Sequence, residues 1–397
     1  MPQRHFDRSG GLRPPLAWLD QELAELDRHG LRRTVACRGG KQTAEILLDG
    51  QRLANFGSND YLGLAADPRL AAAAARAIEQ EGWGSGASPL VTGFGPAHRA
   101  LQERLASFEQ TEAALLFSSG FAANTGTISA LVGSGDAIFS DRHNHASIID
   151  GCRLSRAAVH VYAHGDPHDL AARLRAARQY RRRLIVTDGL FSMDGDLAPL
   201  AELAELADRY GAMLMVDEAH ATGVVGRSGR GAAEALGVEH RVDVRVGTLS
   251  KALGSAGGFV CGRRSLVQWL TNQARSYFFS TAPPPAASAA AAAALDVVQQ
   301  EPQRRRRLLE RAAELRRKLG QQGWQLGPSQ AQIVPVVVGA ADRAMQLAAA
   351  LRQHGLFVPA IRPPSVPAGG ALLRISLSAA HAPEMLEQLT QAFQQLA

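Results

Sequence analysis

One lysine lies where a reactive amine would be expected. Lys251 ends the stretch Thr248-Leu249-Ser250-Lys251, which follows the apolar run Val242 to Val246 and precedes a glycine-rich tail, Gly254 to Gly258. A lysine held on a small-residue loop at the end of a strand can carry an aldehyde as a Schiff base. A solvated surface lysine is the commoner alternative for any single Lys, so the interpretation depends on the residues around it.

An acid and a histidine follow another apolar run upstream of Lys251. Met213 to Val216 predicts a buried parallel strand, and Asp217 and His220 come at its carboxyl end, where open α/β sheets bind ligands. A carboxylate there could keep a pyridinium nitrogen protonated. A strand followed by Asp-x-x-His, and then a second strand followed by Thr-x-x-Lys, form a pattern that is much more specific than either motif alone.

A third strand end contains small residues. Ser118, Ser119, Gly120 and Phe121 follow Leu116-Phe117 and begin a predicted helix. Backbone N–H groups at a helix N-terminus suit an anion such as a phosphate. A plain turn with a serine N-cap is the better interpretation of this motif alone. Together with the Asp and Lys strands, the phosphate site becomes the favoured one.

Two more strand ends offer ligand contacts. His145 could stack on a flat heteroaromatic ring; the pair His143-x-His145 could also bind a metal, although no third ligand is evident nearby, or be an ordinary loop. Ser192 could hydrogen-bond a phenolate. The adjacent Asp194-Gly195-Asp196 is typical of a turn and has no calcium-loop spacing behind it.

Near the C-terminus, Arg362 is followed by Pro363, Pro364 and Ser365. An arginine beside rigid prolines is a preorganised fork for a carboxylate, and Ser365 could add a hydrogen bond. A structural loop with a surface arginine is an equal alternative.

The elements that would hold these residues follow from periodicity. Short apolar runs alternate with helical patterns from Ala113 to Phe259, which predicts a mainly parallel, seven-stranded sheet with helices on both faces. We expect three parts: residues 1–57 as a helical arm, opened by Pro14, and a hairpin around Asp49-Gly50; residues 58–295 as the large domain; and residues 296–397 as a smaller α+β domain. A long helical connection is predicted from Ala286 to Leu319.

Composition favours an ordinary globular protein, with 46% hydrophobic and 20% charged residues and a mild net charge of +6. Asp217-Glu218-Ala219-His220 also spells a helicase box, but the chain contains no Gly-x-x-x-x-Gly-Lys-Ser/Thr phosphate loop. The basic runs Arg181 to Arg183 and Arg304 to Arg307 lack interleaved aromatics and indicate solvated helix faces. We therefore expect no nucleic-acid function.

The expected compartment is the cytoplasm. Cys37, Cys152 and Cys261 are too few and too scattered for a disulfide framework. Met1 to Gly11 lacks the apolar core of a signal peptide, and Ala286 to Leu295, the most apolar stretch, is too short for a membrane span.

The ordered set resembles the α-oxoamine synthase family of pyridoxal 5′-phosphate (PLP) enzymes, which have the aspartate aminotransferase fold (PLP fold type I). The similarity covers the chain from about Gly30 to the C-terminus. It rests on Ser58-Asn59-Asp60-Tyr61-Leu62-Gly63, Ser119 to Asn124, Asn144-His145-Ala146-Ser147, Phe191 to Asp196, Asp217 to His220, Thr248 to Lys251 and Ala360 to Pro364.

The resemblance implies a role for each matched residue. Lys251 would form the Schiff base and then remove the substrate's Cα proton, Asp217 would hold the ring nitrogen protonated, and His145 would stack on the ring. The implied catalytic residues are Lys251, His145 and Asp217, the cofactor-binding residues are these three with Gly120, Phe121, Ser192, His220 and Thr248, and the substrate-binding residues are Arg32, His145, Arg362 and Ser365.

The Arg362 loop is most similar to members that condense L-alanine with a pimeloyl thioester, with loss of CO2, in biotin biosynthesis. Coenzyme A and an acyl-carrier protein are both open as the thiol carrier. The resemblance also implies a homodimer with active sites at the interface. Two alternatives stay open: a glycine-using member such as glycine C-acetyltransferase, and, suggested only by the arginine runs, a cofactor-free nucleic-acid binder on the same fold.

Overall fold

The structure is a computed structural model that describes residues 14–397. Its helices are α1 (Trp18–Arg28), α2 (Pro68–Glu81), α3 (Pro96–Glu109), α4 (Gly120–Leu131), α5 (Ala146–Ser155), α6 (Pro167–Ala176), α7 (Leu200–Tyr210), α8 (Ala232–Ala235), α9 (Arg264–Gln273), α10 (Arg275–Phe278), α11 (Pro285–Gln300), α12 (Pro302–Gln321), α13 (Ala341–Gln353) and α14 (Pro383–Gln395). Its strands are β1 (Arg38–Gly39), β2 (Glu45–Leu48), β3 (Gln51–Asn55), β4 (Ala113–Phe117), β5 (Ala137–Asp141), β6 (Ala158–Tyr162), β7 (Arg183–Asp188), β8 (Met213–Asp217), β9 (Val244–Thr248), β10 (Gly258–Gly262), β11 (Ile333–Gly339), β12 (Leu356–Phe357), β13 (Ala360–Ile361) and β14 (Ala371–Ser376).

A seven-stranded sheet in the order β4-β10-β9-β8-β7-β5-β6 forms the centre of the molecule. The strands from β9 through β6 pair in parallel, and β10 runs antiparallel to both β4 and β9. Apolar clusters cover the sheet on both faces. Such double burial explains why the central strands are continuous apolar runs rather than alternating patterns. The predicted fold class is confirmed.

Local capping sets where several helices begin. Ser119 Oγ accepts a hydrogen bond from the N–H of Ala122 at 3.0 Å and so fixes the start of α4 directly after β4. Asp67 caps α2 in the same way, with Pro68 as the first helical residue. The starts of α2 and α4 are thus specified by short sequence motifs.

Two smaller sheets complete the fold. One has the order β11-β14-β13, and the other has the order β1-β2-β3-β12. Because β12 pairs in parallel with β3, the N-terminal hairpin and the C-terminal part of the chain share a sheet. The three-part division at residues 57 and 295 stays a prediction.

Three predicted elements differ from the structure. The arm helix begins at Trp18 rather than at Pro14, and the strand predicted over Val242 to Val246 is shifted to β9. The helical stretch from Ala286 to Leu319 is two helices, since Pro302 cannot continue α11 and instead opens α12. The expectation for Met1 to Gly11 lies outside the described residues. Of the helices within 14–397, none combines the length and apolarity that a membrane span requires.

The turn after Lys251 depends on a glycine. Gly254 has φ +60°, and a Cβ atom there would lie 2.5 Å from both Ala65 N and Leu64 C. A side chain would therefore be strained in its backbone conformation and would push the Lys251 turn away from residues 64–65.

We expect Gly254→Ala to lower the free energy of unfolding by about 1–3 kcal/mol, as typical for a strained φ combined with a backbone clash. Gly320→Ala is the matched control, because Gly320 lies in α12 with no atom within 4 Å of its added Cβ. The control should be neutral or slightly stabilising. Denaturant unfolding of both variants measures this, and equal stabilities would contradict the role assigned to Gly254.

Candidate active site

Lys251, the predicted reactive amine, lies in the turn after β9. Its Nζ lies 2.8 Å from His220 Nε2. Burial lowers the pKa of Lys251 to about 8, although the nearby carboxylates of Asp217 and Asp188 oppose the shift. A much larger fraction of this amine is therefore unprotonated near neutral pH than of an ordinary lysine. Lys251 thus has the property that a nucleophile or a base requires.

His220 connects Lys251 to the N-terminal part of the chain. Its Nδ1 lies 2.6 Å from the hydroxyl of Tyr61, which is itself hydrogen-bonded to Asn59 at 3.1 Å. Burial, followed by the charge of Lys251, lowers the pKa of His220 well below its usual value. A neutral imidazole is thus held against the lysine amine on one side and a buried phenol on the other.

Arg374 on β14 belongs to the same network, and sequence reasoning missed it. Its guanidinium donates to Tyr61 Oη at 3.3 Å, to Asn59 Oδ1 at 3.1 Å and to the carbonyl of Ser192 at 2.5 Å. It is 6% exposed. Arg374 therefore joins the Ser192 loop to the Tyr61 segment, and no local motif signals it because all three partners are distant in sequence.

Asp217 and His145 are joined through two further residues that sequence reasoning missed. Asn124 on α4 donates to Asp217 Oδ2 at 2.6 Å and to Ser147 Oγ at 2.9 Å, and Ser147 Oγ lies 2.7 Å from His145 Nδ1. The backbone N–H of Ala219 holds the other oxygen of Asp217 at 2.8 Å. Burial lowers the pKa of His145 despite the nearby Asp217. The carboxylate and the imidazole are therefore fixed relative to each other.

Asp188 lies beside Asp217 because β7 and β8 are paired in register at their last residues. Burial, and then the charge of Asp217, raises the pKa of Asp188 well above its usual value. Its Oδ2 accepts the backbone N–H of His145 at 3.0 Å, which anchors the start of α5 to the sheet edge.

The residues of the predicted anion site lie together at the start of α4. Gly120 and Phe121 are the first residues of this helix, so their N–H groups have no intrahelical acceptor. A Cβ on Gly120 would lie 3.4 Å from Thr248 Cβ and 3.6 Å from Thr248 Oγ1, which places the β9 hydroxyl against the helix start. Two backbone donors and the helix dipole therefore converge beside the Thr248 hydroxyl, which itself donates to the carbonyl of Gly257 at 2.9 Å, and such a helix start suits a phosphate.

A cluster of histidines and acids braces the Ser192 loop. His164 bridges two carboxylates, with Nδ1 2.9 Å from Asp141 Oδ1 and Nε2 3.0 Å from Asp196 Oδ2. Burial acts to lower the pKa of His164, but the hydrogen bonds to Asp141 and Asp196 outweigh it and raise the pKa to about 10. An imidazolium thus connects the end of β5, which leads to His145, with the loop that contains Ser192.

The same cluster bears on the metal alternative for His143. His143 Nδ1 lies 2.9 Å from Asp194 Oδ2, and His164 belongs to the same group of side chains. Asp194 and His164 are possible further metal ligands that the sequence did not reveal. The rings of His143 and His164 stack at 4.0 Å with an interplanar angle of 11°. Near-parallel rings direct their lone pairs side by side rather than to one point. The geometry favours an ion-pair network over a metal centre.

Three of the four predicted substrate residues, Arg32, Arg362 and Ser365, line a separate cleft of about 670 Å³, whereas His145 does not. Arg362 donates to the carbonyl of Arg32 at 3.0 Å, and Arg33 donates to Ser365 Oγ at 3.1 Å. Arg32 is therefore brought to Arg362 and Ser365, which lie more than 300 positions further along the chain. Across residues 14–397, no direct hydrogen bond joins this cleft to Lys251.

We expect His164→Gln to lower the free energy of unfolding at pH 6 by about 3 kcal/mol, because two carboxylates lose their cation. The pKa of His164 is about 10 in the folded protein and about 6.5 unfolded. Its stabilisation is therefore complete below pH 6.5 and is lost as the pH rises towards 10.

Denaturant unfolding of wild type and variant between pH 6 and pH 10 measures this difference. The exposed His168, four residues further along, is the control position, and His168→Gln should change little. A wild-type advantage that stays constant across this range would contradict the cationic bridge.

Comparisons with known proteins show the family of the chain. Residues 51–393 match the family described as aminotransferase class I and II. The 8-amino-7-oxononanoate synthase of Anaeromyxobacter sp. (strain Fw109-5) is 56% identical over 384 residues, which cover 97% of this chain and 96% of that protein.

Solved structures show the same similarity. A serine palmitoyltransferase from S. paucimobilis, bound to PLP and myriocin, superposes with a TM-score of 0.91 at 33% identity, covering 96% of this chain and 98% of that one. The 8-amino-7-oxononanoate synthase of Francisella tularensis superposes with a TM-score of 0.75 at 28% identity, covering 87% and 97%. The chain therefore belongs to the aminotransferase class I and II family, in which it groups with the 8-amino-7-oxononanoate synthases.

Proposed function

We propose that this protein is a PLP-dependent acyltransferase that condenses L-alanine with a pimeloyl thioester, releasing CO2 and the thiol carrier and forming 8-amino-7-oxononanoate for biotin biosynthesis. The observation that carries the proposal is Lys251, a buried amine with a pKa of about 8 beside a neutral histidine. The 56% identity to a synthase of that name over nearly the whole chain selects the reaction.

The residues present fit PLP group by group. Lys251 provides the amine for the aldehyde, Asp217 the carboxylate for the ring nitrogen, and His145 a flat ring for stacking. Gly120 and Phe121 provide backbone donors for the phosphate beside Thr248, and Ser192 and His220 are proposed to contact the phenolic oxygen. When bound, PLP supplies an aldehyde that condenses with amines and a ring that accepts electrons from the adjacent carbon.

The residues of the chain then have separate tasks. Lys251 Nζ, once free, takes the Cα proton of alanine and later returns a proton to the same carbon after CO2 has left. His220, kept neutral by burial, holds the amine at 2.8 Å without competing for positive charge. Asp217, fixed by Asn124 and Ala219, would hold the ring nitrogen protonated when PLP is bound.

Arg362 is proposed to bind the amino-acid carboxylate, with Arg32 and Ser365 lining the same cleft. Arg374 is a second candidate, because its guanidinium already lies in the Lys251–His220–Tyr61 network. Domain closure would be needed to bring Arg362 to the amine. Substitution of Arg362 and substitution of Arg374 should therefore affect the KM for alanine differently.

A cytoplasmic homodimer is part of the proposal. Helix α1 buries none of its residues, and Leu19, Leu23 and Leu26 on it are 38–40% exposed. Trp83 and Phe279 are also exposed, at 68% each. Apolar surface of this kind supports a second copy as its cover.

The substrate prediction is tested with purified holoenzyme, L-alanine or glycine, and pimeloyl-CoA, pimeloyl-acyl-carrier protein or acetyl-CoA. We expect 8-amino-7-oxononanoate by mass spectrometry with L-alanine and a pimeloyl thioester, together with the fastest thiol release. The faster of the two pimeloyl carriers identifies the natural thioester. Faster release with glycine and acetyl-CoA would instead favour glycine C-acetyltransferase.

The carboxylate prediction is tested by Arg362→Gln and Arg374→Gln. Loss of a charge-assisted carboxylate contact should raise the KM for alanine by about tenfold or more in Arg362→Gln, with a smaller effect on the KM for the thioester. Arg317→Gln, on an exposed part of α12, is the control. An unchanged alanine KM in Arg362→Gln beside a raised one in Arg374→Gln would transfer the role to Arg374.

A further inference from the structure

A second cleft, remote in its lining from Lys251, concentrates positive charge. It has a volume of about 580 Å³ between the end of α3, the start of α12 and the loop at residues 226–230. Its lining includes Arg227, Arg230, Arg305 and Arg306, and it includes no acidic side chain. The motif Arg304 to Arg307, which the active site does not use, thus contributes two of its arginines here.

Three of the four arginines lack a carboxylate partner. Arg230 is paired with Glu239 at 2.8 Å, but within residues 14–397 no carboxylate oxygen lies within 4 Å of Arg227, Arg305 or Arg306. Arg305 is 6% exposed and donates only to carbonyl oxygens, those of Arg227 and Val298. The Glu234 carboxylate, which accepts the backbone N–H groups of Ser228 and Arg230 at 2.9 Å, acts on the charge of Arg305 without a direct contact.

The start of α12 adds to this potential. Pro302 is the first helical residue, Glu301 makes no side-chain cap, and the first turn contains no acid. Cations near a helix N-terminus are normally unfavourable, since the helix dipole is positive there. The carboxylate of Glu301 at this helix start is paired with Arg69 and Arg304, which lie outside the lining of the cleft.

The rest of the lining indicates the kind of anion. Phe108, Pro302 and Leu309 provide apolar wall, and Ser107, Gln110 and Gln299 provide hydrogen-bonding groups. A volume of 580 Å³ is within the range of small-molecule sites and exceeds what a single phosphate fills. Arginine forks bind phosphate oxygens in pairs.

We propose that this cleft binds a phosphorylated nucleotide, with its phosphates on Arg227, Arg305 and Arg306 and its base and sugar against the Phe108 side. The shared chemistry is that of a nucleotide phosphate, whether free or part of coenzyme A. The site is separate from the proposed catalytic residues, so its test is independent of the acyltransferase proposal.

Isothermal titration of the holoenzyme with ATP, adenosine 3′,5′-bisphosphate, coenzyme A, pyrophosphate and inorganic phosphate tests the site. We expect saturable binding of nucleotides that weakens with added salt. Binding should fall at least tenfold in the double variant Arg227→Gln/Arg306→Gln, whose two positions are exposed, while Arg307→Gln/Arg317→Gln binds like wild type. Synthase activity should be unchanged in Arg307→Gln/Arg317→Gln.

The choice of ligands distinguishes a free nucleotide from the nucleotide part of coenzyme A. If ATP binding is weakened by the Arg227→Gln/Arg306→Gln variant, the ligand is a free nucleotide. If only the binding of coenzyme A and of the bisphosphate is weakened, the ligand is the nucleotide end of the thioester carrier. The proposal is overturned if nucleotides do not saturate the protein, if they bind the Arg227→Gln/Arg306→Gln variant as tightly as wild type, or if only inorganic anions or an acidic acyl-carrier protein depend on these arginines.

Discussion

The contact between Lys251 and His220 is the interaction on which the site depends. An amine can act as a nucleophile and a base only when it is unprotonated, and burial lowers the pKa of Lys251 to about 8. Burial also keeps His220 neutral, so that no second positive charge lies 2.8 Å from the amine. The hydroxyl of Tyr61 fixes the far side of the imidazole, which places the N-terminal segment in direct contact with the chemistry.

The sheet determines where the other groups lie. In-register pairing of β7 and β8 places Asp188 beside Asp217, and β9 next to them delivers Thr248 and the Lys251 turn. Hydrogen bonds then fix what the backbone has positioned: Asn124 holds Asp217, and His164 bridges the loops of His145 and Ser192. Rigid strands with short, braced loops give the preorganisation that a cofactor enzyme requires.

Much of the site could be predicted because it follows a local rule. Asp217 and Thr248 are the last residues of strands, and His145, Ser192, His220 and Lys251 follow strands. The carboxyl ends of parallel strands share one edge of a sheet. The family resemblance assigned their roles, and the relatives confirm the family and the fold. The individual roles stay predictions.

The unpredicted part depends on long-range contacts. Tyr61 and Arg374 reach His220 and Ser192 from positions far away in sequence, and His164 pairs with Asp196 across 32 residues. Asp194-Gly195-Asp196 was interpreted as a turn only, because its histidine partners lie on other loops. The split at Pro302 was missed since alanine-rich and arginine-rich segments both favour helices, and the proline that separates them also suits a helix start.

The central claim is that Lys251 alone is the amine that carries PLP. The chain contains only three lysines, Lys41, Lys251 and Lys318, so the claim is simple to test. Holoenzyme treated with borohydride, digested and mapped by mass spectrometry should carry the reduced pyridoxyl group on Lys251, and Lys251→Ala should carry none. A group on Lys41 or Lys318, or no modification of the wild-type protein, would contradict the account.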